Sequence, residues 1–188
     1  DYVQAISSYL ADFARRHGAI CPVEVVPNGV NLDEYRVSSI KYGWNKKEDF
    51  VIITTSRLVH KNGLDTLIRA GAELKRLIPH TPYSIQILGS GPEEQKLKKL
   101  TKDLGVENEV IFLGQVDPDK IPGYLYQADI FVRPSRSEGL GSSFLEAMAA
   151  GLPVIGTAVG VIPDFLQDSE TGLFVKMDDY QDLADKIT

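Results

Sequence analysis

The 188 residues contain one cysteine, Cys21, and one tryptophan. A lone thiol excludes a disulfide framework and any zinc site built from cysteines. The three histidines, His17, His60 and His80, fall at no ligand spacing. Positive charge is in short supply: 20 Lys and Arg stand against 26 Asp and Glu, for a net charge of −6. That balance argues against a general nucleic-acid binder, although a local cationic site can still take an anion. Long apolar runs are missing too. The longest stretch without a charged residue, 147–163, holds three glycines and two prolines, and it stops short of the ~18 residues a membrane helix needs. There is no Gly-x-Ser-x-Gly elbow, so a hydrolase triad has no support. No signal peptide is visible. The chain starts at Asp1 rather than Met, and is expected to be a piece of a longer protein.

What is present is a core. Hydrophobic residues make up 43% of the chain, enough for one ordinary domain and too few residues for two full ones. Short apolar runs alternate with helical patterns. Strands are expected at 23–26, 50–55, 84–88, 109–113, 129–132, 154–156 and 173–175. Helices are expected at 63–77, 93–104, 119–127, 142–150, 162–166 and 180–187, with one more after Ser7 and Ser8 that ends at Gly18. Residues 31–35 read as a helical turn, and the polar stretch 36–48 as a linker. Strand and helix in strict alternation predict an α/β fold, a Rossmann-like three-layer αβα sandwich with a mainly parallel sheet. In such sheets ligands sit beyond the carboxyl ends of the strands. The loops to search are therefore 56–62, 89–92, 114–118, 133–142 and 157–161.

Loop 133–142 is the richest in chemistry. Gly139 and Gly141 allow close backbone approach, and a helix start near Ser142 and Ser143 leaves amides unpaired, as a phosphate requires. Glu138 precedes that helix and Glu146 lies one turn inside it. Two carboxylates flanking an anion site can accept bonds from hydroxyls, as on a sugar beside a diphosphate. The plainer alternative is a capping box, Ser143 with Glu146, in which Glu146 bonds only its own backbone. Loop 56–63 offers Arg57 and Lys61 just ahead of a helix. Cations there oppose the helix dipole, so another partner should favour them. Asp117-Pro118-Asp119 has the form of a metal-binding Asp-x-Asp pair, but Pro118 at a helix start, with Asp117 as its cap, explains it better. Gly89-Ser90-Gly91 reads as a tight strand-to-helix turn. Lys96, Lys98, Lys99 and Lys102 read as a solvated helix face.

Together these segments resemble the nucleotide-sugar-binding half of the retaining group 1, or family-four, glycosyltransferases of GT-B fold. The resemblance rests on Pro27-Asn28-Gly29-Val30-Asn31, Ser56-Arg57-Leu58 through Gly63, Leu88-Gly89-Ser90-Gly91-Pro92 and Phe112-Leu113-Gly114. It rests above all on Pro134-Ser135 through Glu138, followed by Glu146-Ala147-Met148 through Ile155. It implies that Glu138 contacts the donor sugar and that backbone amides of Gly139, Leu140, Gly141, Ser142 and Ser143 hold the sugar and diphosphate. It further implies that Glu146 binds the ribose and that Arg57, with a lysine, stabilises the leaving diphosphate. Two departures stand out. The family's phosphate lysine falls at Asn62, with Lys61 one residue early, so either Lys61 reaches round or the site has one firm cation. The family's Gly-Gly-x-Pro-Glu segment reads Gly160-Val161-Ile162-Pro163-Asp164, which puts backbone contacts at Val161 in doubt.

The resemblance also sets the wider expectations. Residues 1–20 would be a remnant of an acceptor domain, 21–48 an interdomain segment, and 49–188 the donor domain without its last helix. The substrate would be a UDP-, GDP- or ADP-sugar, with no cofactor and no metal, and the product would keep the donor's anomeric configuration. Partners would be the nucleotide sugar and the N-terminal domain, not nucleic acid. The expected location is the cytoplasm, with peripheral attachment at the inner membrane face open to the full-length enzyme. Alone, these residues are expected to bind donor weakly and transfer poorly. A nucleotide-sugar epimerase and a non-catalytic nucleotide-binding module of the same fold are the alternatives.

Overall fold

The computed structural model describes residues 1–35 and 49–188, so the linker expected at 36–48 lies outside the described residues. Its centre is a six-stranded sheet, all parallel, in the order β5-β4-β3-β6-β7-β8. The strands are β3 (Phe50–Thr55), β4 (Tyr83–Leu88), β5 (Val110–Gly114), β6 (Ile130–Arg133), β7 (Val154–Thr157) and β8 (Leu173–Val175). The β-branched run of β3 occupies the middle because both of its faces are covered: Val51, Ile52, Ile53 and Thr54 are all buried. Order reverses between β3 and β6, where the chain first builds outward to β5 and then returns to the other side.

Two apolar cores, one on each face, make the three layers. On one face α2 (Leu64–Leu77), α3 (Glu94–Asp103) and α6 (Tyr180–Ile187) bring Leu67, Ile68, Leu74, Leu97 and Leu183 onto Ile52, Ile85 and Val132. On the other, α4 (Ile121–Leu125) and α5 (Ser142–Ala149) bring Leu125, Phe144 and Ala147 onto Ile53, Phe131 and Val154. In α2 and α3 the leucines fall at three- and four-residue spacing, which is why they share one stripe. The lysine face of α3 is solvated as expected: Lys96, Lys98 and Lys99 pair along the helix with Glu93, Glu94 and Asp103.

A smaller βαβ unit precedes the sheet: β1 (Val3–Ala5), α1 (Ser8–Arg16) and β2 (Val23–Val25), with β1 and β2 parallel. Ser7 caps α1, its hydroxyl accepting from the Leu10 amide at 3.2 Å. The unit meets the main body where the Ser8 amide donates to Asp164 at 2.9 Å and the Ser8 hydroxyl bonds the same carboxylate. Residues 32–35 are helical.

Two expectations are corrected in detail. The helix read over 119–127 is a 3-10 turn, Pro118–Lys120, followed by α4, and that over 162–166 is a 3-10 turn, Ile162–Asp164. In the first of these Asp117 holds the cap position, with Pro118 inside, but its carboxylate pairs with Lys120 at 2.7 Å instead of capping an amide. Val161 carries no backbone strain: it sits at φ −80°, ψ −16°, ordinary helical values, and is buried. The residue that needs to be glycine is Gly160, at φ +56°.

Candidate functional site

The carboxyl ends of β3, β4, β5 and β6 carry the loops in question. Over the first three opens a cleft of about 410 Å³ lined by Thr55, Ser56, Arg57, Leu88, Ser90, Gln115, Val116 and Ile121. The Thr55 and Ser56 hydroxyls at its edge are buried without partners. Arg57 is exposed on its wall. On the other side of β3, β6 delivers the loop that starts at Arg133 and runs into α5. The site therefore straddles the point where strand order reverses, the place where open parallel sheets leave a crevice.

Loop 134–141 is held from three sides. The Arg136 guanidinium forks onto Asp65 at 2.9 and 2.8 Å, and also bonds the His60 carbonyl at 2.7 Å and Asp178 at 2.7 Å. Burial pushes the Asp65 carboxyl up, but the hydrogen bonds and charge of Arg136 outweigh it and hold the group below its usual range. The Arg136 amide donates to the Lys61 carbonyl at 2.7 Å. Gly160 closes the back: a Cβ there would lie 1.8 Å from the Glu138 carbonyl oxygen. Gly63, at φ +67°, permits the same closeness to Pro134, whose carbonyl oxygen a Cβ would meet at 1.9 Å.

Within this frame Glu138 is buried, 6% exposed. Its Oε1 accepts from the amides of Gly139, at 3.1 Å, and Gly141, at 3.4 Å. Its Oε2 lies 2.8 Å from Arg133 Nη2 as an ion pair, although no N–H is aligned on it. The loop thus already holds an anion on its backbone amides, supplied by its own side chain. α5 begins at Ser142 behind Gly141, a left-handed cap residue with no side-chain cap. Among the described residues the amides of Ser142 and Ser143 carry no hydrogen bond.

The capping-box alternative for Ser143 and Glu146 is not what forms. The Ser143 hydroxyl accepts from Arg133 Nη1 at 2.5 Å, and Glu146 bonds no backbone amide among the described residues. Glu146 is half-buried, and that burial pushes its carboxyl above the usual range; Arg133 opposes the shift and Glu34 adds to it. Burial, and then the charge of Glu146, raise the Tyr35 hydroxyl strongly in turn.

The other expected site residues fall as follows. Lys61 is exposed, and no ion pair forms on its amine among the described residues. Asn62 is buried, with its amide used within the protein: Nδ2 donates to the Arg57 carbonyl at 2.6 Å and Oδ1 accepts from Arg133 Nη2 at 3.1 Å. Leu140 and Gly139 are partly exposed beside Glu138. Sequence reasoning passed over Arg133 and Arg136. The available signal was charge inside or next to an apolar strand, since Arg133 ends the run Ile130-Phe131-Val132. Among the described residues no cluster of three His, Cys, Asp or Glu could hold a metal ion, and no helix is long and apolar enough to cross a membrane.

Comparison with known proteins gives the chain's family and fold. The family described as "Glycosyl transferases group 1" matches residues 38–188. A Mycobacterium tuberculosis protein named GDP-mannose-dependent alpha-(1-6)-phosphatidylinositol monomannoside mannosyltransferase is 34% identical, over all of this chain and 51% of its own length. A D-inositol 3-phosphate glycosyltransferase of Corynebacterium jeikeium is 31% identical, over 89% of this chain and 43% of its own. Among solved structures, sucrose-phosphate synthase of Thermosynechococcus elongatus superposes with a TM-score of 0.84 at 28% identity, covering 100% of this chain and 48% of that one. An Anabaena protein in complex with UDP and glucose shares the fold at 24% identity and a TM-score of 0.81, over 98% of this chain and 51% of its own. The chain spans about half the length of the curated relatives it matches.

Proposed function

The chain belongs to the group 1 glycosyl transferases, with a GT-B-type α/β domain, and from that premise we propose that it is the donor-binding part of a retaining hexosyltransferase. The observation that carries the reading is the Glu138 loop, whose amides already receive a carboxylate at 3.1 and 3.4 Å. That bond orders the loop ahead of α5, and the unbonded amides of Ser142 and Ser143 that follow suit the charged oxygens of a nucleoside diphosphate. In this reading the base and ribose lie over the β3–β5 cleft and the diphosphate meets Arg57 and the start of α5. Glu146 accepts the ribose hydroxyls and Glu138 those of the sugar. Negative charge builds on the departing diphosphate as the glycosidic bond to it breaks. A fixed cation and preoriented amides stabilise that charge without reorganising, which is where the rate acceleration arises. No step is assigned to a metal. The acceptor meets the donor across a cleft with a second domain, and residues 1–20 belong with that domain's side.

GDP-mannose is the first donor to try, because the first relatives carry that dependence in their names. UDP- and ADP-sugars complete a calorimetric panel on the full-length protein. Saturable binding of one of them is expected. Arg57→Ala and Glu146→Ala should each weaken it roughly 10- to 150-fold, the range for a charge-assisted hydrogen bond. No saturable binding of any nucleotide sugar up to about millimolar, a free energy near −4 kcal/mol, would sink the reading.

A further inference from the structure

Among the described residues of the site, Arg133 is the buried cation, paired with the buried Glu138. Its side chain is 10% exposed and that of Glu138 7%. It leaves β6 on the same face as Phe131, beneath the start of α5. Its fork reaches three partners on three elements: Ser143 on α5 through Nη1, and Asn62 and Glu138 through Nη2. Asn62 passes the connection on, because its Nδ2 grips the Arg57 carbonyl at 2.6 Å. A continuous path therefore runs Glu138–Arg133–Asn62–Arg57. Arg133 Nε is buried without any partner. Desolvating a guanidinium this far is costly, and one that leaves a donor unsatisfied is costlier still. A purely structural role would be served better by an apolar residue at the end of an apolar strand.

We propose that Arg133 is a positioning residue for donor binding. It holds the Glu138 carboxylate in place and, through Asn62, fixes the Arg57 loop in register with it, so that sugar and diphosphate are recognised as one unit. This rests on the donor-binding reading and deepens it. The planar fork is essential to the role. Lysine keeps the charge but offers a single point, and cannot engage Ser143, Asn62 and Glu138 together. Lys61, exposed and one residue from Asn62, has no part in the path.

Two variants give separable outcomes. Arg133→Lys frees both Glu138 and the Arg57 loop. It should raise the Kd for GDP-mannose, or whichever nucleotide sugar binds best, about tenfold or more, and the Kd for the matching nucleoside diphosphate by less. The advantage of the sugar nucleotide over the bare diphosphate should shrink accordingly. Asn62→Ala cuts only the arm to Arg57. It should weaken both ligands by the same factor and leave their ratio unchanged. Binding stoichiometry controls for folding, because partial unfolding lowers the active fraction without changing the ratio of the two dissociation constants. Lys102→Ala, on the solvated face of α3, should change neither constant by more than about twofold. A wild-type ratio in Arg133→Lys overturns the proposal while leaving the donor-binding reading intact. Should Arg133→Lys fail to fold, unchanged affinities in Asn62→Ala overturn it. Wild-type protein that binds no nucleotide sugar overturns both.

Discussion

Gly160→Ala tests how tightly the fold presses on the Glu138 loop. The added Cβ would stand 1.8 Å from the Glu138 carbonyl oxygen and 2.8 Å from its carbonyl carbon. A comfortable carbon–oxygen contact is about 3.3 Å, so one backbone must retreat by roughly 1.5 Å. Neither has a flexible side chain to give way, because both atoms are main chain. The backbone at Gly160, φ +56°, adds a left-handed penalty of about 1–2 kcal/mol for any L-residue. Overpacking adds about 1–3 kcal/mol, for a total loss of about 2–5 kcal/mol. In a protein of this size that lowers the midpoint of thermal unfolding by roughly 4–20 °C. Gly29→Ala is the control: nothing lies within 4 Å of its Cβ, and its effect should stay within about 0.5 kcal/mol. Scanning calorimetry on both variants measures the difference. Because Glu138 moves with the backbone, turnover on a donor should also fall about 100-fold, as misplacement by an ångström does elsewhere. A midpoint within about 2 °C of wild type, less than 1 kcal/mol, would refute the reasoning and mean that loops 134–141 and 157–161 slide freely past each other.

Two further outcomes follow from the charges. Burial holds the Glu146 carboxyl above its usual range, and hydroxyls bonded to the carboxylate favour its charged form. The bound state therefore has the lower pKa, so donor affinity is full above the free-state pKa and falls as pH drops through it. Calorimetry at descending pH should show that fall in wild type and a flatter profile in Glu146→Gln; parallel profiles would remove Glu146 from the donor site. Arg136→Ala removes the fork onto Asp65 and the bond to the His60 carbonyl, and should cost about 1–3 kcal/mol at neutral pH. Asp65 is held below its usual range, so this stabilisation is present above the unfolded-state pKa and lost as pH falls through the folded one. The difference in unfolding midpoint between variant and wild type should narrow in acid, and a pH-independent gap would assign the loss to packing alone.

How much of this was legible in the sequence depends on the range of the interaction. The strands and helices were, because each is written in a local period: the β-branched run of β3 and the leucine stripe of α2 reveal themselves within 15 residues. Boundaries shifted by a residue or so; the segment from Pro118 divided into a 3-10 turn and the short α4, and that around Pro163 stopped at one 3-10 turn. The paired glutamates and Arg57 were visible as charges on glycine-rich loops after strands. Their environment was not. Ser143 with Glu146 satisfies the capping pattern perfectly as a string, yet Gly141 begins the helix and Arg133 claims the Ser143 hydroxyl. Asn62 occupies a position where a cation was sought, but in space its amide bridges two arginines' loops. The bond from Arg133 to Asn62 joins residues 71 positions apart. No periodicity encodes such a pairing; only the sheet order, which sets β6 beside β3, brings the partners within reach. Arg133 is the sharpest case. As sequence it is a charge closing an apolar strand, a feature that either ends a strand in solvent or marks a buried ion pair. The choice between the two turns on Glu138, five residues away, folding back over it.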